Sequence, residues 1–139
     1  MTDIVIAGAA RTPVGRFNGV LSGLSPVALA EVAVKAALQR AKTEAGEVNE
    51  LIHGLVLSGN TGAGPARQVA LNCGLSHEST AYAINQLCAS GMRAVAEGYK
   101  SILLGDSEIV VAGGMESMSW APHELNLRGG TKMGDAKIL

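Results

Sequence analysis

Cys88 is the residue of this 139-residue chain whose type and setting best suit covalent chemistry. It stands in AYAINQLCASGMRAVAEGYKSIL, where a strand-like stretch hands over to a helix pattern. At such a junction the first-turn N–H groups are unpaired and the positive end of the helix dipole faces the side chain, which favours a thiolate. The small residues Ala89, Ser90 and Gly91 leave room for a substrate carbonyl beside the sulfur. The arrangement is similar to a nucleophile elbow with Cys in place of Ser. A buried core thiol is the plain alternative, and position alone leaves both readings open. Cys73 lies at the C-terminal end of a short helix pattern, meets the opposite dipole, and reads as structural.

A nucleophilic cysteine needs a base to take its proton. Three histidines are available, and none reads convincingly as that base. His53 falls inside an expected strand, His77 in a turn and His123 in a loop after Pro122, so each reads as a surface or packing residue. Glu116 follows a Gly-Gly pair at a strand end and reads equally as a hydrogen-bonding carboxylate or a turn residue. Arg67, in PARQ on the first turn of a helix, reads as a brace between a loop and a carboxylate. The glycine patterns do not make a nucleotide site. IVIAGAARTPVG does not open directly into a helix, and NTGAGPARQ lacks the Gly-Lys-Ser/Thr of a phosphate loop. Two cysteines are too few for a disulfide scaffold and lack metal-ligand spacing.

The elements that must position Cys88 can be read from apolar runs and their punctuation. Residues 4–10 form a β-branched apolar run expected to be a buried strand. A loop over 11–24, rich in glycine, leads to Ser25-Pro26, an N-cap followed by a first-turn proline, and a helix to about residue 42. A second strand is expected over 51–57, a short helix over 65–73, and a third strand over 80–84. A helix over 89–104 and a fourth strand over 109–112 follow. Residues 120–139 have no clear period. Strands alternating with helices predict an α/β fold with a mostly parallel sheet and right-handed crossovers. The last residues, Lys-Ile-Leu, end the chain without a closing element or polar tail, as if a longer protein were cut there.

Composition narrows the classes further. Hydrophobic residues make up 47% of the chain, aromatics only 3%, and there are 18 glycines. Such a core is filled by Ala, Val, Ile and Leu with closely approaching backbones, which suits stacked layers and not an aromatic nucleic-acid platform. With 11 Lys+Arg against 12 Asp+Glu, no basic footprint for nucleic acid or membrane stands out. No apolar run is long enough for a membrane span, and the N-terminus resembles neither a secretory signal nor a transit peptide. A cytoplasmic protein is expected.

Five blocks in order carry a resemblance. INQLCASGMRAV is similar to the acyl-cysteine signature of thiolases. AARTPVGRFNG and PARQVAL precede it, VAGGMESMSWAPH follows it, and LRGGTKMGD resembles the loop of the short-chain, acetoacetyl-CoA-forming branch. The resemblance runs from Ile4 to the last residue. It implies a thiolase-like N-terminal domain over 1–119, part of a layered αβαβα fold. It also implies that residues 120–139 begin a loop domain containing a tetramerisation loop. Ketoacyl synthases share the fold and a cysteine at the same elbow, but the ARTPVG, GGMES and LRGG blocks argue against them.

What the resemblance implies about activity is specific. Cys88 would be the catalytic nucleophile of a ping-pong acyltransferase that condenses two acetyl-CoA to acetoacetyl-CoA, or runs thiolysis in reverse. Its backbone N–H would contribute to an oxyanion hole. CoA thioesters would enter as substrates, with no resident cofactor or metal, and the assembly would be a homotetramer. The Gly-His-Pro motif, the second catalytic cysteine and the Asn-Glu-Ala-Phe motif of thiolases have no counterpart in these residues, nor do most CoA contacts. The chain is therefore expected to carry the nucleophile without its base. A different class of reading is a non-catalytic assembly or binding fragment of a split or truncated thiolase. Gly64 stands where the short-chain branch often has Asn before PAR, a detail of one loop.

Overall fold

The structure is a computed structural model that describes residues 3–127, 129–130 and 133–135. Helix α1 (Pro26–Ala41) begins where the Ser25 hydroxyl accepts the Ala28 N–H at 3.1 Å, with Pro26 in the first turn. It ends at Lys42 in a left-handed conformation. Its buried positions Val27, Ala30, Val34 and Leu38 recur at helical spacing and form the stripe that meets the core. The chain continues through strand β1 (Glu50–Gly54), helix α2 (Pro65–Asn72), strand β2 (Thr80–Ile84), helix α3 (Ser90–Leu104) and strand β3 (Val110–Gly114). Gly105, at positive φ, closes α3 by donating to the Ile102 carbonyl.

The three strands form a parallel sheet in the order β2-β1-β3, with Leu51 opposite Ala81 on one side and Val111 on the other. From β1 the chain moves outward through α2 to β2, then crosses back over β1 through α3 to β3. Crossovers of one hand in opposite directions place their helices on opposite faces of a sheet. Side-chain parity bears this out. Leu51 and Leu55 join the core built with α1 and α2 (Val27, Val34, Val69, Ala70). On the other face, Gly54 and Val110 lie against α3 at Gly91 and Gly98. The expected α/β class with a parallel sheet is what the structure shows, and its helices lie on both faces.

Residues 4–10 form no strand, against expectation. The run lies over the end of α1, so close that a Cβ on Gly8 would come within 2.7 Å of the Ala37 carbonyl oxygen. Arg40 holds it there by donating to the Ala9 carbonyl at 2.6 Å. Val5 and Ile6 are 76% and 80% exposed, so neither is the buried strand residue that its type suggested. β-Branched residues favour extended backbone, but a strand exists only where a neighbour completes its ladder. The expected strand over 51–57 stops early, at Gly54: the Leu55 amide still reaches the Ile84 carbonyl at 3.1 Å, but the two amides after it turn to a side chain described below. No described helix is long and apolar enough to cross a membrane.

Candidate active site

The carboxyl ends of all three strands open into one cleft of about 570 Å³. One wall is the end of β1 and its continuation, residues 54–57. A second is Gly114, Met115, Glu116 and Met118 after β3. The third is the β2–α3 turn with Leu87, Cys88, Ser90 and Gly91. Crevices at the carboxyl edge of a parallel sheet, where successive crossovers diverge to opposite faces, are the usual ligand sites of such folds. The lining is mostly apolar.

Cys88 is exposed at this cleft, so the core-thiol alternative does not hold. The turn beneath it is densely hydrogen-bonded. Leu87 has φ +51°, a left-handed conformation that costs a non-glycine residue about 1–2 kcal/mol. Several hydrogen bonds offset that cost. The Asn85 side-chain oxygen accepts the Leu87 N–H at 3.0 Å, and the Gln86 carbonyl accepts the Ala89 N–H at 3.1 Å. Ser90, 4% exposed, holds both ends: its hydroxyl accepts the Gln86 N–H at 2.8 Å and donates to the Leu87 carbonyl at 2.6 Å. The same carbonyl accepts the Ser90 N–H at 3.0 Å. Of the five amides from Gln86 to Ser90, four are therefore satisfied inside the turn. That of Cys88 has no partner among the described residues.

Hydrogen bonds tie the segment after β3 to the end of β1 and to two loops. Glu116 accepts the Val56 N–H at 2.9 Å and the Leu57 N–H at 3.4 Å, so it is a hydrogen-bonding carboxylate and not a bare turn residue. The Asn18 N–H donates to the Ser119 hydroxyl at 2.9 Å, tying the glycine-rich loop over 11–24 to the segment after β3. Trp120 donates its indole N–H to the Asn60 carbonyl at 3.1 Å.

The remaining candidates fall elsewhere. His53 is buried in the sheet centre between Ala83 and Gly113, and burial lowers its pKa to about 4. Its Nδ1 has no hydrogen-bond partner among the described residues. His77 and His123 are exposed, and none of the three histidines lines the Cys88 cleft. Arg67 does brace a loop, but through the carbonyls of His77 and Ser79 and not through a carboxylate as expected. Cys73 is buried, its thiol pKa raised by that burial, and its Sγ lies 3.8 Å from the Glu31 carbonyl. No cluster of His, Cys, Asp or Glu that could hold a metal occurs among the described residues. Sequence reasoning missed the work of the Ser90 hydroxyl, the left-handed Leu87 and the close approach of Gly54. A serine two residues after the cysteine was the available signal.

The fold and cleft define a class: an α/β protein presenting a cysteine from a strand–helix turn at the carboxyl edge of its sheet. The family described as Thiolase, N-terminal domain matches residues 4–139, and the chain belongs to that family. It is 56% identical to the acetyl-CoA acetyltransferase of Rhizobium meliloti (strain 1021), over 99% of this chain and 35% of that protein. The acetyl-CoA acetyltransferase of Syntrophomonas wolfei superposes with a TM-score of 0.87 at 36% identity, covering 96% of this chain and 34% of its own. A thiolase from Ascaris suum, solved in complex with coenzyme A, superposes with a TM-score of 0.84 at 36% identity, over 87% of this chain and 32% of that one. The chain thus spans about a third of the length of the relatives it matches.

Proposed function

We propose that Cys88 is the acyl-accepting nucleophile of an acetyl-CoA C-acetyltransferase. One observation carries the reading: an exposed thiol at a mostly apolar cleft, on a turn whose own amide is the one left without a partner among the described residues. The thiol gives its proton to a base, and Sγ attacks the acetyl-CoA carbonyl. A carbon–sulfur bond forms and the carbonyl electrons move onto oxygen, where the Cys88 N–H stabilises the charge. Collapse breaks the bond to CoA, which leaves as a thiolate and takes up a proton. A second acetyl-CoA, stripped of its α-proton, then attacks the acyl-cysteine through carbon, releasing the Cys88 thiolate and acetoacetyl-CoA. Thiolysis is the same path reversed. In the thiolases it resembles, the base and the proton-abstracting cysteine come from motifs with no counterpart among these residues.

The relatives named acetyl-CoA acetyltransferase and the coenzyme A complex of the Ascaris suum thiolase support CoA thioesters as the substrates. The resemblance further supports a homotetramer held by the loop after Trp120. Leu125, Leu127 and Met133 are exposed there, as residues awaiting an apolar partner would be. Arg128, Lys132 and Lys137 of the same segment lie outside the described residues.

The test is turnover by the intact protein. Acetyl-CoA should yield acetoacetyl-CoA, and Cys88→Ala should lower the rate by at least about 10⁴-fold, the scale on which removing a covalent nucleophile acts. Unchanged turnover in Cys88→Ala would overturn the assignment.

A further inference from the structure

We propose that Ser90 is a positioning residue for acyl transfer at Cys88, acting by aiming the Cys88 N–H into the cleft. The inference rests on the acyl-transfer reading and names the residue that makes its amide donor available. The Ser90 hydroxyl and the Ser90 N–H both donate to the Leu87 carbonyl, at 2.6 and 3.0 Å. That carbonyl belongs to the same peptide unit as the Cys88 N–H, and no peptide in the described structure is cis. In a planar trans peptide the two groups point in opposite directions. Turning the carbonyl down onto buried Ser90 therefore turns the Cys88 N–H up and away from it. The second bond of the same hydroxyl, accepted from the Gln86 N–H at 2.8 Å, fixes that hydroxyl against the start of the turn. Leu87 takes up the strain as a left-handed residue. Ser90 touches neither sulfur nor substrate in this scheme; it sets the direction of a donor.

A misaimed donor has a distinctive signature. Addition to a thioester carbonyl develops charge on oxygen and needs the donor, whereas displacement of iodide from iodoacetamide by the same thiolate builds no oxyanion. Ser90 should therefore matter for acetylation of Cys88 and not for its alkylation. A residue that merely kept the helix folded would affect both.

The experiment follows single-turnover acetylation by acetyl-CoA and alkylation by iodoacetamide at Cys88, in parallel, in the intact protein. Ser90→Ala should slow acetylation by about tenfold or more and leave alkylation within about threefold. Ser90→Thr, which keeps the hydroxyl, should recover acetylation to within about threefold of the unsubstituted protein. If circular dichroism shows that Ser90→Ala has lost its fold, Asn85→Ala takes its place. Asn85 is exposed and holds the Leu87 N–H of the same turn, so the same split is expected. Equal loss of both rates, unchanged acetylation, or a Thr variant no better than the Ala variant would each overturn the role of Ser90. Absence of acetylation in the unsubstituted protein would instead overturn acyl transfer itself.

Discussion

Gly54 and Ser90 are packed so closely that no side chain fits between them. A Cβ on Gly54 would lie 2.5 Å from the Ser90 carbonyl carbon and 2.6 Å from the Gly91 nitrogen. The end of the central strand is thus the seat on which the first turn of α3 rests, and Cys88 hangs from that turn. Gly54→Ala must push the turn away. The expected result is a loss of about 1–3 kcal/mol in urea unfolding, typical of overpacking, together with slower acetylation of Cys88. A variant with unchanged stability and acetylation would show that the strand does not fix the turn.

His53 ties stability to pH. Its folded pKa is lowered to about 4 by burial, against 6.5 in the unfolded chain, so the unfolded state binds the extra proton between those values. Stability from this group is complete above pH 6.5 and is lost as the pH falls toward 4, by up to about 3 kcal/mol. Unfolding by urea at pH 7 and pH 4.5 is the check, with His53→Leu as the reference that cannot titrate. The variant should gain on the parent as the pH falls. A difference between the two that is the same at both pH values would exclude His53 as the cause.

Glu116 ends β1 by drawing the Val56 and Leu57 amides out of the ladder. Glu116→Ala leaves both amides without their carboxylate and should cost about 1–3 kcal/mol, the range for losing hydrogen bonds to a charged group. Hydrogen exchange should show those two amides losing protection first. Protection unchanged in the variant would mean that something other than Glu116 holds the wall.

If the intact protein forms the proposed homotetramer through this loop, replacing residues 125–133 by a Gly/Ser linker should yield dimers that keep acetylation at Cys88. Light scattering at low micromolar concentration reads the outcome directly. Persistence of the tetramer would show that this loop does not hold the assembly together.

How far these features could be read from sequence depended on whether they were local. Ser25-Pro26 specifies a helix start by its own chemistry, and α1 begins there. Residues 80–84 were expected as a strand with the limits they have. The run over 4–10 has equally strong strand chemistry and no ladder, because pairing is a property of the neighbour and not of the segment. The site divides the same way. Cys88 at a strand–helix junction was visible from the order of elements. The Ser90 clamp was not, because it depends on a turn conformation, Leu87 at positive φ, that no residue type there announces. His53 was expected to be a packing or surface residue, and packing is what it does; that its Nδ1 finds no partner among the described residues is visible only with the sheet assembled.

The most direct measurement is to treat the intact protein with acetyl-CoA, digest it, and locate the acetyl group by peptide mass mapping. The mass increase should fall on the peptide containing Cys88 and disappear in Cys88→Ala. An acetyl group on Cys73 instead, or an unmodified Cys88 in a protein that still forms acetoacetyl-CoA, would contradict Cys88 as the acyl carrier.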